Sequence, residues 1–186
     1  MRDERGRAQG RVRLRAPAAG DADELIALNR ASRALHQPWV APPTSAEEFG
    51  RYLERCARAD VCGLLACLAD GGAIVGAITL SQIFYGPLQS AYMGYYVGAP
   101  YAGRGLMREA VALALDHAFG PLGLHRVEAN IQPGNGASLA LARRLGFVRE
   151  GYSRRYLFID GDWRDHERFA MLAEDWAALT AAGRGL

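Results

Sequence analysis

Along the first sixty residues the spacing of apolar positions changes twice. Val12 and Leu14 alternate with Arg13 and Arg15, the two-residue period of a half-buried strand, and the stretch from Pro17 to Gly20 breaks it. From Asp21 the spacing lengthens to Leu25, Leu28 and Leu35, which is helical, with Asp21 placed to cap the first turn and the HQPW stretch ending it. A second helix is expected to about Ala59, opened by two overlapping capping boxes, Thr44 with Glu47 and Ser45 with Glu48. Three strands follow, Val61 to Ala69, Ile74 to Phe84 and Ala91 to Val97. The turn signals Asp70-Gly71-Gly72 and Gly86-Pro87 separate them, and an antiparallel meander is the economical arrangement.

Beyond Gly105 the residues Leu106, Ala110, Leu113, Ala114 and His117 share one side of a helix. HRVEANIQ then reads as a strand closed by Pro133-Gly134. Ser138, Leu141, Ala142 and Leu145 share a face of a short helix that Gly146 ends as a left-handed cap. Strands from Phe147 to Ile159 and Trp163 to Ala173 form a terminal hairpin around Asp160-Gly161-Asp162. The order is strand, two helices, three strands, helix, strand, helix, two strands. It predicts an α/β (α+β) fold: a mixed, mostly antiparallel sheet of about seven strands with helices on both faces.

Composition narrows the picture without changing it. A chain of 186 residues that is 50% hydrophobic suits one core, so a single domain is expected over residues 11–180, with a disordered tail over residues 1–10. The net charge of +2 comes from 22 basic and 20 acidic residues spread along the chain, and every basic residue is Arg. No basic block calls for direct reading of nucleic acid. Cys56, Cys62 and Cys67 sit in apolar surroundings as free thiols. Cys62 and Cys67, five apart in a strand, point to opposite faces, so no metal is expected. The Arg-rich N-terminus lacks the apolar run of a secretory leader and no stretch reaches a membrane span, so a soluble cytoplasmic protein with no membrane partner is expected.

Candidate chemistry concentrates in YMGYYVGAPYAGRGLMREA. A strand enters a turn carrying Gly103 and Gly105 and a helix starts at once, which aims backbone N–H groups at one point on the positive end of a helix dipole. A pyrophosphate fits such a site, and Arg104 can add a charge-assisted contact. Alone, the glycines are equally well explained as tight-turn residues. No Gly-Lys-Ser/Thr follows, so the loop is not a P-loop, and its glycine spacing does not match a dinucleotide fingerprint.

About thirty residues on, NGASLALARRLGFVREG adds Asn135, Ser138 and the Leu145-Gly146-Phe147 ending. The two elements together resemble the GNAT superfamily of N-acetyltransferases. With HQPWVAPP and YLFIDGDWRDHERFAMLAEDW, the resemblance narrows to the ribosomal-protein alanine N-acetyltransferases of the RimJ/RimL group, RimJ closer, over roughly Val12 to Trp176. The loop departs from the family at Ala102, where Gln or Arg is common, and at Met107, where Gly or Ala is.

The resemblance implies a sheet that splays between its fourth and fifth strands and acetyl-coenzyme A as co-substrate. It implies that Tyr96 and Val97 offer backbone groups to the pantetheine arm. Ala102, Gly103, Arg104, Gly105, Leu106 and Met107 would then surround the pyrophosphate, and Asn135 and Ser138 would flank the arm, with the Ser138 hydroxyl protonating the departing thiolate. Asn135 and Ser138 are equally candidates for a plain helix cap. Glu128, on the fifth strand, either projects into the acceptor cleft as a base working through water or pairs with Arg126 or a neighbouring strand. His36 and Trp39 either contact the acceptor or simply end the helix, with Trp39 in the core. A backbone N–H near Tyr95 to Val97 is the candidate donor to the thioester carbonyl. The acceptor implied is the N-terminal alanine α-amine of a ribosomal or other protein. The alternatives are a small amine such as a polyamine, amino acid or antibiotic, and a ribosome-associated assembly factor without catalysis. The oligomeric state is left open, a homodimer through the terminal strands being one arrangement the sequence allows.

Overall fold

The computed structural model describes residues 10–183; apart from Gly10, the tail expected over residues 1–10 lies outside the described residues. The strands are β1 (Val12–Arg15), β2 (Val61–Leu68), β3 (Ile74–Phe84), β4 (Ser90–Val97), β5 (Arg126–Ile131), β6 (Val148–Ile159) and β7 (Asp162–Leu172). They form one seven-stranded sheet in the order β1-β2-β3-β4-β5-β7-β6. Every neighbouring pair is antiparallel except β4 and β5, which run parallel. That exception follows from the connection, because a helix crosses between them and returns the chain in the same direction.

Helices cover both faces, as the element order requires. On one face α1 (Ala22–Ala31) and α3 (Ala46–Cys56) bury Leu25, Ile26, Phe49 and Tyr52 against Leu65, Cys67, Ile74 and Ala77 of the sheet. On the other, α4 (Leu106–Phe119) lays Ala110, Val111, Ala114 and Leu115 on Leu64, Ile78 and Val127, flanked by α5 (Gly136–Arg144) and α6 (Ala173–Ala181). A fully buried side chain such as Leu65 or Leu115 contributes about 1.5–3 kcal/mol relative to exposure. Cys62 packs with the α4 core and Cys67 with the α1 core, the opposite faces that their odd spacing dictates.

Local expectations are corrected at four places. Asp21 makes no side-chain cap to α1; its carboxylate accepts from the Ala18 N–H at 2.7 Å and from Arg15 at 2.7 Å, closing the turn ahead of the helix. The helix expected from Asp21 past Leu35 breaks at Ser32 into α1 and α2 (Arg33–His36), because the Ser32 hydroxyl bonds back to the Leu28 carbonyl and accepts the Ala99 N–H. At α3 only the second capping box forms, and shifted by one: Ser45 accepts from the Glu48 N–H at 3.2 Å while the Glu48 carboxylate reaches the Thr44 N–H at 2.6 Å. Glu47 pairs instead with Arg51 on the surface, and α3 stops at Cys56 rather than Ala59. Finally β7 ends at Leu172 and α6 follows, anchored by Trp176, which is buried and donates to Asp116 at 2.8 Å.

Candidate active site

The parallel pairing of β4 with β5 covers only Ser90 to Tyr92 against Arg126 to Glu128, and beyond it the two strands part. The Gly98 N–H donates to the Val75 carbonyl at 2.8 Å, which sets the phase of the β3–β4 ladder. In an antiparallel pair alternate residues turn both backbone groups to the partner, so Tyr96 bonds to Ala77 of β3, while Tyr95 and Val97 face the gap. The expectation for Tyr96 is corrected accordingly: its backbone is spent on the sheet, and the backbone groups open to the gap are those of Tyr95 and Val97. Gly76 keeps this junction close, since a Cβ there would lie 2.2 Å from the Tyr96 carbonyl oxygen.

A cleft of about 590 Å³ runs through the gap. At its α4 end stand Ala102, Gly103, Gly105 and Met107. Gly103 and Gly105 adopt φ of +73° and +77°, the left-handed region that admits glycine without strain. Gly105 opens α4 without any side-chain cap, so the first N–H groups of the helix point into the loop with no side chain to satisfy them. Those orphan donors fit a pyrophosphate. Arg104 and Leu106 do not line this cleft. Leu106 is buried in the core under α4, and Arg104 lines a separate open groove with Arg11 and Asp70, its carbonyl accepting from Arg11. The Arg104 guanidinium lies 3.4 Å from the Pro100 carbonyl.

On the α5 flank the Asn135 side chain accepts the Ser138 N–H at 3.1 Å, so Asn135 is the cap and Ser138 is not. The freed Ser138 hydroxyl lies 2.7 Å from the Tyr95 hydroxyl. Burial pushes the Tyr95 phenol up to about 12, with the Ser138 bond opposing, so the pair stays protonated at neutral pH.

Strand alternation puts Tyr96 of β4, Asn130 of β5 and His166 of β7 on the opposite face, toward α1 and α3. His36 reaches over this side. It is 4% exposed, packs edge-on against Tyr96 and places Nε2 2.9 Å from the Val97 carbonyl. A carbonyl only accepts, so Nε2 carries the hydrogen and the buried Nδ1 is left without a partner. Burial holds this imidazole below its usual range, the Val97 bond opposing. Trp39 lines the cleft, with its ring 2.9 Å from where a Cβ on Gly134 would sit.

Glu128 does not line the cleft. Its carboxylate is held by Arg126 at 2.9 Å and Arg168 at 3.3 Å, which is the ion-pair alternative. Among the described residues no Asp or Glu lines the cleft at all, and Arg108 and Arg144 are its only fully charged side chains. Asn130, Gln132, Leu157, Ile159 and His166 line it without having been expected, and so does the side chain of Tyr95, of which only the backbone was. The strand alternation around DHERFA could have flagged His166, because Phe169 faces the α4 core and an odd offset puts residue 166 on the other side.

A splayed sheet with a glycine loop at a helix start defines a class of group-transfer folds. Residues 11–148 match the acetyltransferase (GNAT) domain model, and the chain belongs to that family. It is 40% identical over 107 residues to the [ribosomal protein uS5]-alanine N-acetyltransferase of Escherichia coli (strain K12), a match covering 58% of this chain and 55% of that protein. The match thus spans little more than half of that relative. Among solved structures, Mycobacterium smegmatis RimJ in complex with CoA-disulfide superposes with a TM-score of 0.83 at 33% identity, covering 94% of this chain and 90% of that one. The spermidine N-acetyltransferase of Vibrio cholerae, in complex with CoA and spermine, reaches 0.77 at 25% identity, over 90% and 98%.

Proposed function

We propose that the protein transfers an acetyl group from acetyl-coenzyme A to the N-terminal alanine α-amine of a protein, a ribosomal protein being the foremost candidate. The observation that carries the choice of acceptor is the absence of carboxylates from the described cleft lining. A polyamine brings several ammonium groups, and burying them without partners costs several kcal/mol each. One chain N-terminus brings a single amine, and the apolar wall of Trp39, Val40, Leu157 and Ile159 suits a short peptide behind it. The likeness to the alanine acetyltransferase of Escherichia coli and to RimJ supports the same reading.

Acetyl-coenzyme A supplies a thioester carbonyl and a thiolate leaving group. Around it the chain has orientation and proton handling to provide. The orphan N–H groups at the start of α4 hold the pyrophosphate, and the backbone of Tyr95 and Val97 lies along the gap for the pantetheine. The Val97 carbonyl is already engaged by His36, which leaves the N–H groups of Tyr95 and Val97 as donors to the thioester oxygen. Ser138, backed by Tyr95, returns a proton to sulfur as the C–S bond breaks. An α-amine titrates near 7.7 to 8.0 and a Lys side chain near 10.4, so neutralising the former at pH 7 is cheaper by about 3.4 kcal/mol.

The test is direct. Initial rates are compared for a peptide with the N-terminus of ribosomal protein uS5, the same peptide beginning with a blocked residue, and spermidine. The alanine peptide is expected to be acetylated at least tenfold more efficiently in kcat/KM than spermidine. Preference for spermidine overturns the reading.

A further inference from the structure

The acetylation proposed above needs a group to take a proton from the incoming amine, and Glu128, the carboxylate expected for it, is locked between two guanidinium groups outside the cleft. Only two side chains lining the described cleft carry a lone pair basic enough for that step at neutral pH, His36 and His166. Their hydrogen bonds assign them opposite tautomers. His36 spends its Nε2–H on the Val97 carbonyl, and the lone pair left on Nδ1 is sealed from the cleft. His166 places Nδ1 2.9 Å from the Arg164 carbonyl, so Nδ1 carries the hydrogen and the lone pair is left on Nε2, on a ring that is 1% exposed and lines the cleft.

We propose that His166 Nε2 is the proton acceptor for the amine, directly or through one water. The proton leaves the amine nitrogen as the C–N bond forms and passes to Nε2. The electron pair of the breaking C–S bond goes to sulfur, which is protonated from the Ser138 side of the gap. Acid and base thus stand on opposite faces of the sheet, Tyr95 and Ser138 with α5 and His166 with α1 and α3.

The surroundings keep this imidazole ready to accept. Burial lowers its affinity for a proton, and the Arg164 carbonyl and the neighbouring Asp165 oppose that. Asp165 points to the other face and is occupied by the Tyr152 hydroxyl and the Arg155 N–H. Facing His166 are the Tyr156 ring of β6, with centroids 6.0 Å apart, and on its own strand Arg164 and Arg168. From β5, Glu128 shares that face but is neutralised by its two Arg partners, and from α2 the other imidazole, His36, lines the same cleft. The imidazole is therefore neutral at pH 7, and its hydrogen bond fixes which nitrogen is available.

Two measurements test this, and the first needs no substrate. In protein labelled with 15N-histidine, with resonances assigned through the backbone, His166 at pH 8 is expected as the Nδ1–H tautomer; an Nε2–H tautomer overturns the proposal whatever the acceptor is. The second compares wild type with His166→Gln on the uS5 peptide and on spermidine between pH 6 and 9.5. With whichever amine wild type prefers, the variant is expected to lose about 100-fold in kcat at pH 7, with acetyl-coenzyme A affinity within twofold, and the loss should shrink as pH neutralises the amine. A wrong acceptor class shows as a swap of preferred amine, leaving the comparison readable. A loss that does not change with pH, or no loss, overturns the role. Should His166→Gln fail to fold, or neither amine react, the tautomer decides alone.

Discussion

At the start of α5 an amide and a hydroxyl hold separate jobs that substitution can separate. Because Asn135 caps the helix and Ser138 does not, Ser138→Ala should leave the melting temperature nearly unchanged while lowering kcat roughly ten- to a hundred-fold, with acetyl-coenzyme A affinity intact. Asn135→Ala should do the reverse at the level of the fold, costing about 1 kcal/mol of stability. Calorimetry and initial rates on the two variants check both, and equal behaviour would undo the division. From sequence either residue could cap, since Asn and Ser are both strong caps, and nothing local shows that the Tyr95 hydroxyl takes up Ser138. The pairing of the Tyr95 hydroxyl with Ser138 is illegible for the same reason, since β4 and α5 meet only in the fold, and strand alternation gives the face His166 takes but not the cleft it lines. Gly103 and Gly105 are legible because a helix start with no capping side chain is itself a local sequence feature.

The loop before α4 carries the corresponding prediction at the scale of an element. Gly105 sits at φ +77° and a Cβ there would come within 3.3 Å of Arg11, so Gly105→Val strains the turn and fills the mouth of the site. It should nearly abolish acetyl-coenzyme A binding by calorimetric titration. Arg104→Ala should weaken binding by less than threefold, because that side chain lines the other groove. In wild type, acetyl-coenzyme A at about 100 times its dissociation constant should stabilise the fold by about 2.7 kcal/mol, and NAD should not. All seven strands are readable from short apolar or alternating runs and the turn residues between them, since those signals are short-range. What escapes is set by distant partners. The break at Ser32 depends on Ala99, and α6 is Ala-rich, without a clear apolar stripe, held by the burial of Trp176 and its bond to Asp116 on α4.

Over the whole molecule, two buried imidazoles link stability to pH. Burial lowers the proton affinity of both His36 and His166, so the unfolded chain binds protons more readily. Stability is therefore complete above the ordinary value of about 6.5 and falls as pH drops below it toward the folded values. The melting temperature should decline between pH 7 and 5.5, before carboxylates titrate, and His36→Asn should flatten that decline. An unchanged melting temperature over that range counts against neutral burial. The three-residue seam between β4 and β5 has a mechanical meaning as well: among the described residues it is the only strand pairing that joins a four-stranded half-sheet to a three-stranded one. An amide-bearing arm laid in the gap would act as a temporary eighth strand, turning a hinge into a continuous ladder. Deuterium uptake at the Tyr95 and Val97 amides should then slow when coenzyme A binds, and the slowing should spread to both half-sheets beyond the residues it touches.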